Sequence, residues 1–195
     1  MARYRTIVAD PPWVVQAGPA HFRTFKATRD PDPRYLPASR PLAFDGMSVD
    51  DIAALPVGEL AERDAHLYLW AINAYLEATY TVARAWGFRP VQLLTWAKTP
   101  RGLGLGGTYT STTEFVLFCR RGSLKARQRM NTSWFNWKRP ELETGPMHSR
   151  KPEHFLDMVE QVSPPPYVEL FARRHRLGWD VWGDESANTA ELASG

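Results

Sequence analysis

The stretch "TIVADPPW", residues 6–13, is an apolar run that ends in one acid, two prolines and a tryptophan. Residues 6 to 10 read as a buried strand, because the run is short, continuous and rich in β-branched residues. An Asp can cap a turn, a proline pair stiffens the backbone, and a Trp fills space. None of those uses needs the other three residues at that spacing. Working outward, "AHLYLWA" (65–71), "VQLLTWAKT" (91–99), "TTEFVLFCRR" (112–121), "YVELFAR" (167–173) and the start of "GWDVWGDE" (178–185) read as further strands. Helix signals lie between them. Ser48 is placed as an N-cap with Asp50 and Asp51 in the first turn. Asn73 is placed as the cap of a helix that puts Tyr75, Val82 and Trp86 on one face and stops at Gly87. "KPEHFLDMVEQV" (151–162) has Pro152 near its first turn and ends at Pro164–Pro166. Strands alternating with helices predict a mainly parallel sheet covered on both faces, an α/β, Rossmann-like architecture. Ligands of such sheets bind beyond the carboxyl ends of the strands. Asp10 and the pair Arg173/His175 both fall there.

Composition bounds the class. The chain has 195 residues, 44% of them hydrophobic, enough for one domain with a sizeable core. We place that domain at residues 1–185 and read 186–195 as a disordered tail. No run of about 18 apolar residues predicts a membrane span. The N-terminus lacks the apolar region of a signal peptide, and the single Cys119 sits in an apolar stretch. An inert thiol in a reducing cytoplasm is expected, with no disulfide and no metal site. Residues 14–45 are rich in Pro, Arg, Asp and Ser without periodicity, which favours a functional or mobile loop. "RGLGLGGTY" (101–109) is glycine-rich, but β structure follows it where a phosphate loop needs a helix, so it reads as a hairpin loop.

The net charge of +3 says less than its distribution. Arg120, Arg121, Lys125, Arg127, Arg129, Lys138 and Arg139 fall in twenty residues without an acid, interleaved with Trp134, Phe135 and Trp137. One reading is a nucleic-acid-facing segment, with Arg127 and Arg129 on phosphates and Trp134 or Trp137 as a stacking platform. The other is a solvated loop with tucked-in aromatics.

One reaction uses all four residues of "DPPW". The lone pair of the exocyclic amine of adenine is delocalised into the ring, so N6 is a poor nucleophile. Two acceptors at its N–H groups draw it towards a tetrahedral shape. The Asp10 carboxylate can be one acceptor. The carbonyl of Pro11 can be the other, because Pro11 and Pro12 lack N–H groups and hold the backbone extended. Trp13 can stack on the base. Catalysis is then mostly orientation.

"DPPW" (10–13), "HSRKPE" (148–153), "ELFARRH" (169–175) and "GWDVWGDE" (178–185) together resemble the seventy-kilodalton-subunit family of N6-adenine methyltransferases, in order and spacing, over roughly residues 4 to 185. The resemblance implies a Rossmann-like methyltransferase in permuted order, with the catalytic motif ahead of the S-adenosylmethionine motif. It implies that Asp10 and Trp13 hold the base and that Asp10 also lies near the methionine part of the cofactor. It places Lys151 in a loop closing over the site, Arg173 and His175 towards the ribose, and Asp184 with Glu185 at the adenine and ribose end. Many relatives carry Asn in place of Asp184, and an ionised Asp cannot donate as Asn does. His148 reads as a loop residue near the substrate, since this chemistry needs no imidazole. Glu114 stays open between the core and the site. The expected activity is methylation of adenine N6 in nucleic acid, DNA ahead of RNA. A catalytically silent nucleic-acid-binding partner subunit is the rival class. A homodimer or a partner chain is compatible with either.

Overall fold

A computed structural model describes residues 3–13, 46–98, 109, 111–138, 151–183, 188–190 and 192. The loop at 14–45, residues 101–108 of the glycine-rich loop, His148, Asp184, Glu185 and most of the tail lie outside the described residues. In chain order the elements are β1 (Tyr4–Ala9), α1 (Val49–Ala54), α2 (Val57–Leu60), β2 (Ala61–Ala71), a 3-10 turn (Asn73–Tyr75), α3 (Leu76–Ala85), β3 (Arg89–Ala97), β4 (Thr113–Arg121), β5 (Trp134–Phe135), α4 (Glu153–Val162), β6 (Tyr167–Leu170) and β7 (Trp179–Trp182).

The strands form one seven-stranded sheet in the order β5-β3-β4-β2-β1-β6-β7. β1 runs parallel to β2 and β6, β6 to β7, and β3 to β5, while β4 is antiparallel to both β2 and β3. Six strands therefore share a direction and β4 opposes them, which matches the mainly parallel expectation. The β3–β4 pair is the antiparallel pair implied by the hairpin reading.

Strand alternation explains the two layers. Ile7 and Ala9 of β1 pack with Ile52, Val57, Leu60 and Val82 from α1, α2 and α3 and with Trp86, the residue that caps the end of α3. Val8 packs instead with Phe155, Leu156 and Val159 of α4. Each large side chain so buried contributes about 1.5–3 kcal/mol. Local signals behave as their chemistry dictates. The Ser48 hydroxyl accepts from the Asp51 N–H at 3.1 Å, as an N-cap should. Gly87 has φ +81°, the left-handed stop expected after α3. Trp86 donates its indole N–H to the Ile52 carbonyl at 3.0 Å, tying α3 to α1. Asn73 is not a helix cap: it begins the 3-10 turn, and α3 starts at Leu76 without a side-chain cap. β5, two residues long, carries too short a pattern to be read from sequence.

β1 is where the connections diverge. From β1 the chain passes through α1 and α2 to β2 on one side, while β6 on the other side leads on to β7. In open parallel sheets ligands bind in the crevice at such a divergence, here beyond the carboxyl ends of β1 and β6.

Candidate active site

Asp10 ends β1 on the α4 side of the sheet, continuing the alternation that puts Val8 there. Its N–H donates to the Leu170 carbonyl at 3.4 Å, which joins it to the end of β6. Lys151, just before α4, places Nζ 3.0 Å from Asp10 Oδ1 and 3.2 Å from Glu114 Oε2. Lys98 pairs with the other oxygen of Glu114. The result is a chain Asp10–Lys151–Glu114–Lys98 whose side chains are 8–19% exposed. The Lys151 ammonium also lies 5.0 Å from the centre of the Trp70 ring.

The electrostatics divide the two acids. Burial pushes the Asp10 carboxyl above its usual range; Lys151 opposes this, Glu114 adds to it, and Arg173 opposes it. Burial acts on Glu114 in the same sense, but Lys151 and Lys98 together outweigh it and hold Glu114 low. Burial alone would lower Lys151, yet the two carboxylates beside it win and keep it protonated. Glu114 is thus the fixed anion of the chain, and Asp10 is the acid that more readily takes up a proton.

The turn after Asp10 is pinned three times. The Trp13 N–H donates to the Pro11 carbonyl at 2.8 Å, the Met47 N–H donates to the Pro12 carbonyl at 2.9 Å, and the Trp13 indole N–H donates to the Trp70 carbonyl at 3.1 Å. Pro11 is buried and Pro12 half-buried. The Pro11 oxygen has one lone pair engaged and one to spare.

Trp13, expected to stack on the base, is packed inside the fold. It is 5% exposed and stacks on Tyr75 with ring centres 5.2 Å apart, in the layer of α1–α3 and not on the Asp10 side. Three hydrogen-bonded anchors on one short turn hold it there.

Beyond β6, Phe171 adopts φ +61° and turns the chain. Arg173 lies close enough to Asp10 to act on its carboxyl, while His175 is exposed in the same loop. Arg176 is structural: it binds Glu160 at 2.8 Å and Asp157 at 2.7 Å on α4. Glu169 on β6 was not singled out from sequence. Burial raises its carboxyl to about 7, Asp10 adding to this and Arg174, Arg176 and Lys151 opposing it. Its Oε2 is buried with no hydrogen-bond partner among the described residues. Glu114 and Lys98 were also not assigned. A lone acid at the inward parity of β4, in register with Val116 and Phe118, was the signal for Glu114.

The basic segment splits. Arg121 donates to the Gly58 carbonyl at 2.5 Å and belongs to the fold. Lys125, Arg127, Arg129 and Lys138 are exposed, and Arg139 lies outside the described residues. Trp134 is 55% exposed, whereas Trp137 is half-buried and stacks on Phe135 at 4.4 Å. Trp137 is therefore part of the packing, and Trp134 is the tryptophan of the pair that is largely open to solvent. Burial pushes the Cys119 thiol up to about 12, which makes it the inert group expected. Among the described residues no cluster of His, Cys, Asp or Glu could hold a metal, and no helix is long and apolar enough to cross a membrane.

Known proteins are similar to this chain along most of its length. The chain is 27% identical to the Type II methyltransferase M.MunI of Mycoplasma sp over 189 residues, covering 94% of this chain and 78% of that protein. It is 26% identical to the N6-methyladenosine RNA methyltransferase MTA1 of Pyricularia oryzae, covering 98% of this chain but 49% of that protein. It is 25% identical to a putative N(6)-adenosine-methyltransferase MT-A70-like protein of Medicago truncatula, of which it spans 27%. The MT-A70 family model matches residues 4–185, and with the permuted Rossmann-like sheet this chain belongs to the MT-A70 family of methyltransferases.

Proposed function

We propose that this protein transfers a methyl group from S-adenosylmethionine to N6 of adenine in nucleic acid. The observation that carries the reading is the buried Asp10–Lys151–Glu114–Lys98 chain beside the spare lone pair of the Pro11 carbonyl, at the crevice between β1 and β6. Lys151 binds one oxygen of Asp10 and fixes the plane of the carboxylate. The second oxygen accepts one N6 hydrogen, and the Pro11 carbonyl accepts the other. Both acceptors are held by the fold before substrate arrives, so little ordering remains to be done. Glu114 keeps Lys151 protonated and in place. After transfer the N6 proton is acidic, and the upward-shifted Asp10 carboxyl is suited to receive it.

S-adenosylmethionine supplies an electrophilic methyl on a sulfonium. The described residues at the crevice fit it. The partnerless Glu169 oxygen suits a hydroxyl or ammonium donor, and Asp10 with Arg173 offers one charge of each sign. His175, Asp184 and Glu185 are assigned to the ribose and adenine end on the family pattern. Arg127, Arg129 and the exposed face of Trp134 are assigned to the polynucleotide, with His148 and Lys151 nearer the target base.

The test is mass spectrometry of nucleosides from DNA and from RNA incubated with the protein and S-adenosylmethionine. The expected result is N6-methylated adenine nucleoside from one polymer, DNA being the one favoured from sequence, and none with Asp10→Ala. Absence of product from both polymers, in a preparation that binds S-adenosylmethionine by calorimetry, overturns the catalytic reading.

A further inference from the structure

A cavity of about 570 Å³ lies between the sheet and α4, and no member of the Asp10–Lys151–Glu114–Lys98 chain lines it. Its lining includes Gln92 and Phe118 on β3 and β4, Met158 on α4, Phe135 on β5 and Met130 in the 122–133 connection. That connection is pinned at both ends. The Arg127 N–H donates to the Val162 carbonyl at 2.8 Å, and the Thr95 N–H donates to the Ser133 carbonyl at 2.8 Å. The space beneath it is therefore built into the fold.

Arg120 makes the cavity unusual. Its guanidinium lies 5.6 Å from the centre of the Phe118 ring, and its Nε is buried with no hydrogen-bond partner among the described residues. A buried N–H without a partner is costly, so the site is poised for an acceptor. Amides line the same space at Gln92, Gln128 and Asn131, each able to donate and accept. No Asp or Glu is among its described lining residues, whereas Arg129 of the acid-free cationic segment is. Aromatic and aliphatic walls, a guanidinium and donor–acceptor amides match a nucleobase bearing a phosphate.

We infer that this cavity takes one unstacked base of the substrate strand, on the same strand as the adenine held at Asp10. The inference rests on the nucleic-acid reading above. Arg120 is six residues from Glu114 on β4, about 20 Å at strand spacing. At the stacked spacing of 3.4 Å this is about six nucleotides, and fewer when the strand is extended. The Arg120 end of the cavity would therefore read sequence context at a distance from the reaction, while its Phe135 end lies two strands from Glu114 at the same register.

An abasic scan tests this. Single-stranded oligonucleotides of the polymer that is methylated, each with one target adenine, lose one base at a time on either side. In the wild type, removal of one particular base within about six positions should raise KM about 5–150-fold, the worth of one base–aromatic stack. Met130→Trp, which fills the cavity, and Arg120→Gln should raise KM similarly on the intact strand, with no further rise on the abasic one. Calorimetric affinity for S-adenosylmethionine should not change. A flat scan, or losses that multiply between variant and abasic strand, overturns the inference while leaving the methyltransferase reading intact. If no strand is methylated, the same scan read by fluorescence anisotropy of strand binding decides the cavity separately. If Met130→Trp does not fold, Arg120→Gln carries the test alone.

Discussion

Two buried polar clusters sit on the α4 side of the sheet, at opposite ends of β2 and β4. One is the charge chain Asp10–Lys151–Glu114–Lys98. The other is neutral and joins His66, Ser163, Tyr68 and the Leu124 carbonyl. In the neutral cluster the protons can be placed by elimination. The Leu124 carbonyl only accepts, so His66 Nε2 carries the hydrogen and donates at 3.1 Å. Nδ1 then accepts from the Ser163 hydroxyl at 2.7 Å, and Ser163 in turn accepts from Tyr68 at 2.8 Å. The Ser163 carbonyl accepts from Tyr167 at 2.9 Å. Every member is matched without moving an ion out of water. The charge chain instead buries four ionisable groups, an arrangement that stabilises a fold no better than apolar residues of similar volume. We read the neutral cluster as the joint between β2, α4 and the 122–133 connection, and the charged one as retained for chemistry.

The largest effect that can break this contrast is at Asp10. Asp10→Ala should lower kcat/KM by at least about 10²–10³-fold, the usual cost of losing one aligned hydrogen-bonding group at a reacting centre. Thermal stability should fall far less than activity. Asp10→Asn should also be nearly inactive, because its amide can present a donor to a donor. Wild-type turnover in either variant would remove Asp10 from the mechanism and make the charge chain structural after all.

Glu114→Gln comes next. It leaves the ammonium groups of Lys98 and Lys151 facing each other without their common anion. Breaking a buried pair in this way costs about 3–5 kcal/mol of stability. Lys151 then loses one of the two carboxylates that hold it, and a misplaced Asp10 carboxylate can cost up to about 10²-fold in kcat. Chemical denaturation and single-turnover kinetics on the same variant separate the two effects. A loss of stability with unchanged turnover would mean that Glu114 serves the fold alone.

Why sequence reading reached Asp10 and Lys151 but not Glu114 and Lys98 is a matter of what each residue advertises. Asp10 stands beside two prolines, and that local stiffness marks it. Lys151 stands at the start of a helix, where a cation is out of place. Glu114 is marked only by strand parity, and Lys98 faces it across the β3–β4 pair, whose register brings Trp96 opposite Glu114. That partnership is tertiary. The sheet itself was legible because its strands are long apolar runs, except β5, whose two residues carry no period. Trp13 is ambiguous in the sequence for a related reason. An aromatic after a proline pair fits a base platform as well as it fits a core, and the stack on Tyr75 is a tertiary contact that no local pattern shows.

Ser163→Ala tests the neutral cluster. It leaves the Tyr68 hydroxyl and His66 Nδ1 without their shared partner and should cost about 1–3 kcal/mol, with kcat unchanged. The pH dependence has a definite sign. Burial holds His66 below its ordinary value, with the Leu124 hydrogen bond opposing and Arg120 assisting. The unfolded chain therefore takes up the proton first. The stability from neutral His66 is fully present above about 6.5, the ordinary histidine value, and is lost as pH falls towards the depressed one. His66→Phe should flatten that acid-side loss in a melting-temperature series. A kcat that falls with Ser163→Ala at unchanged stability would erase the distinction between the two clusters.

The smallest effect is expected at Trp13. Trp13→Phe keeps an aromatic face for Tyr75 and loses the hydrogen bond to the Trp70 carbonyl, worth about 1 kcal/mol net. The turn should survive, because the Asp10, Trp13 and Met47 N–H groups keep their carbonyl partners at Leu170, Pro11 and Pro12. Turnover should then change little. Trp13→Leu sharpens the result, since Leu can fill space but cannot stack. If Trp13 is a buried anchor, Leu lowers the melting temperature further and leaves KM for the oligonucleotide near the wild-type value. If Trp13 is a base platform, KM rises about 5–150-fold, as expected for losing one base–aromatic stack, at a stability similar to that of the Phe variant. That second outcome would require Trp13 to leave Tyr75 when substrate binds. It would move Trp13 from the packing of α1–α3 to the same side of the comparison as Asp10.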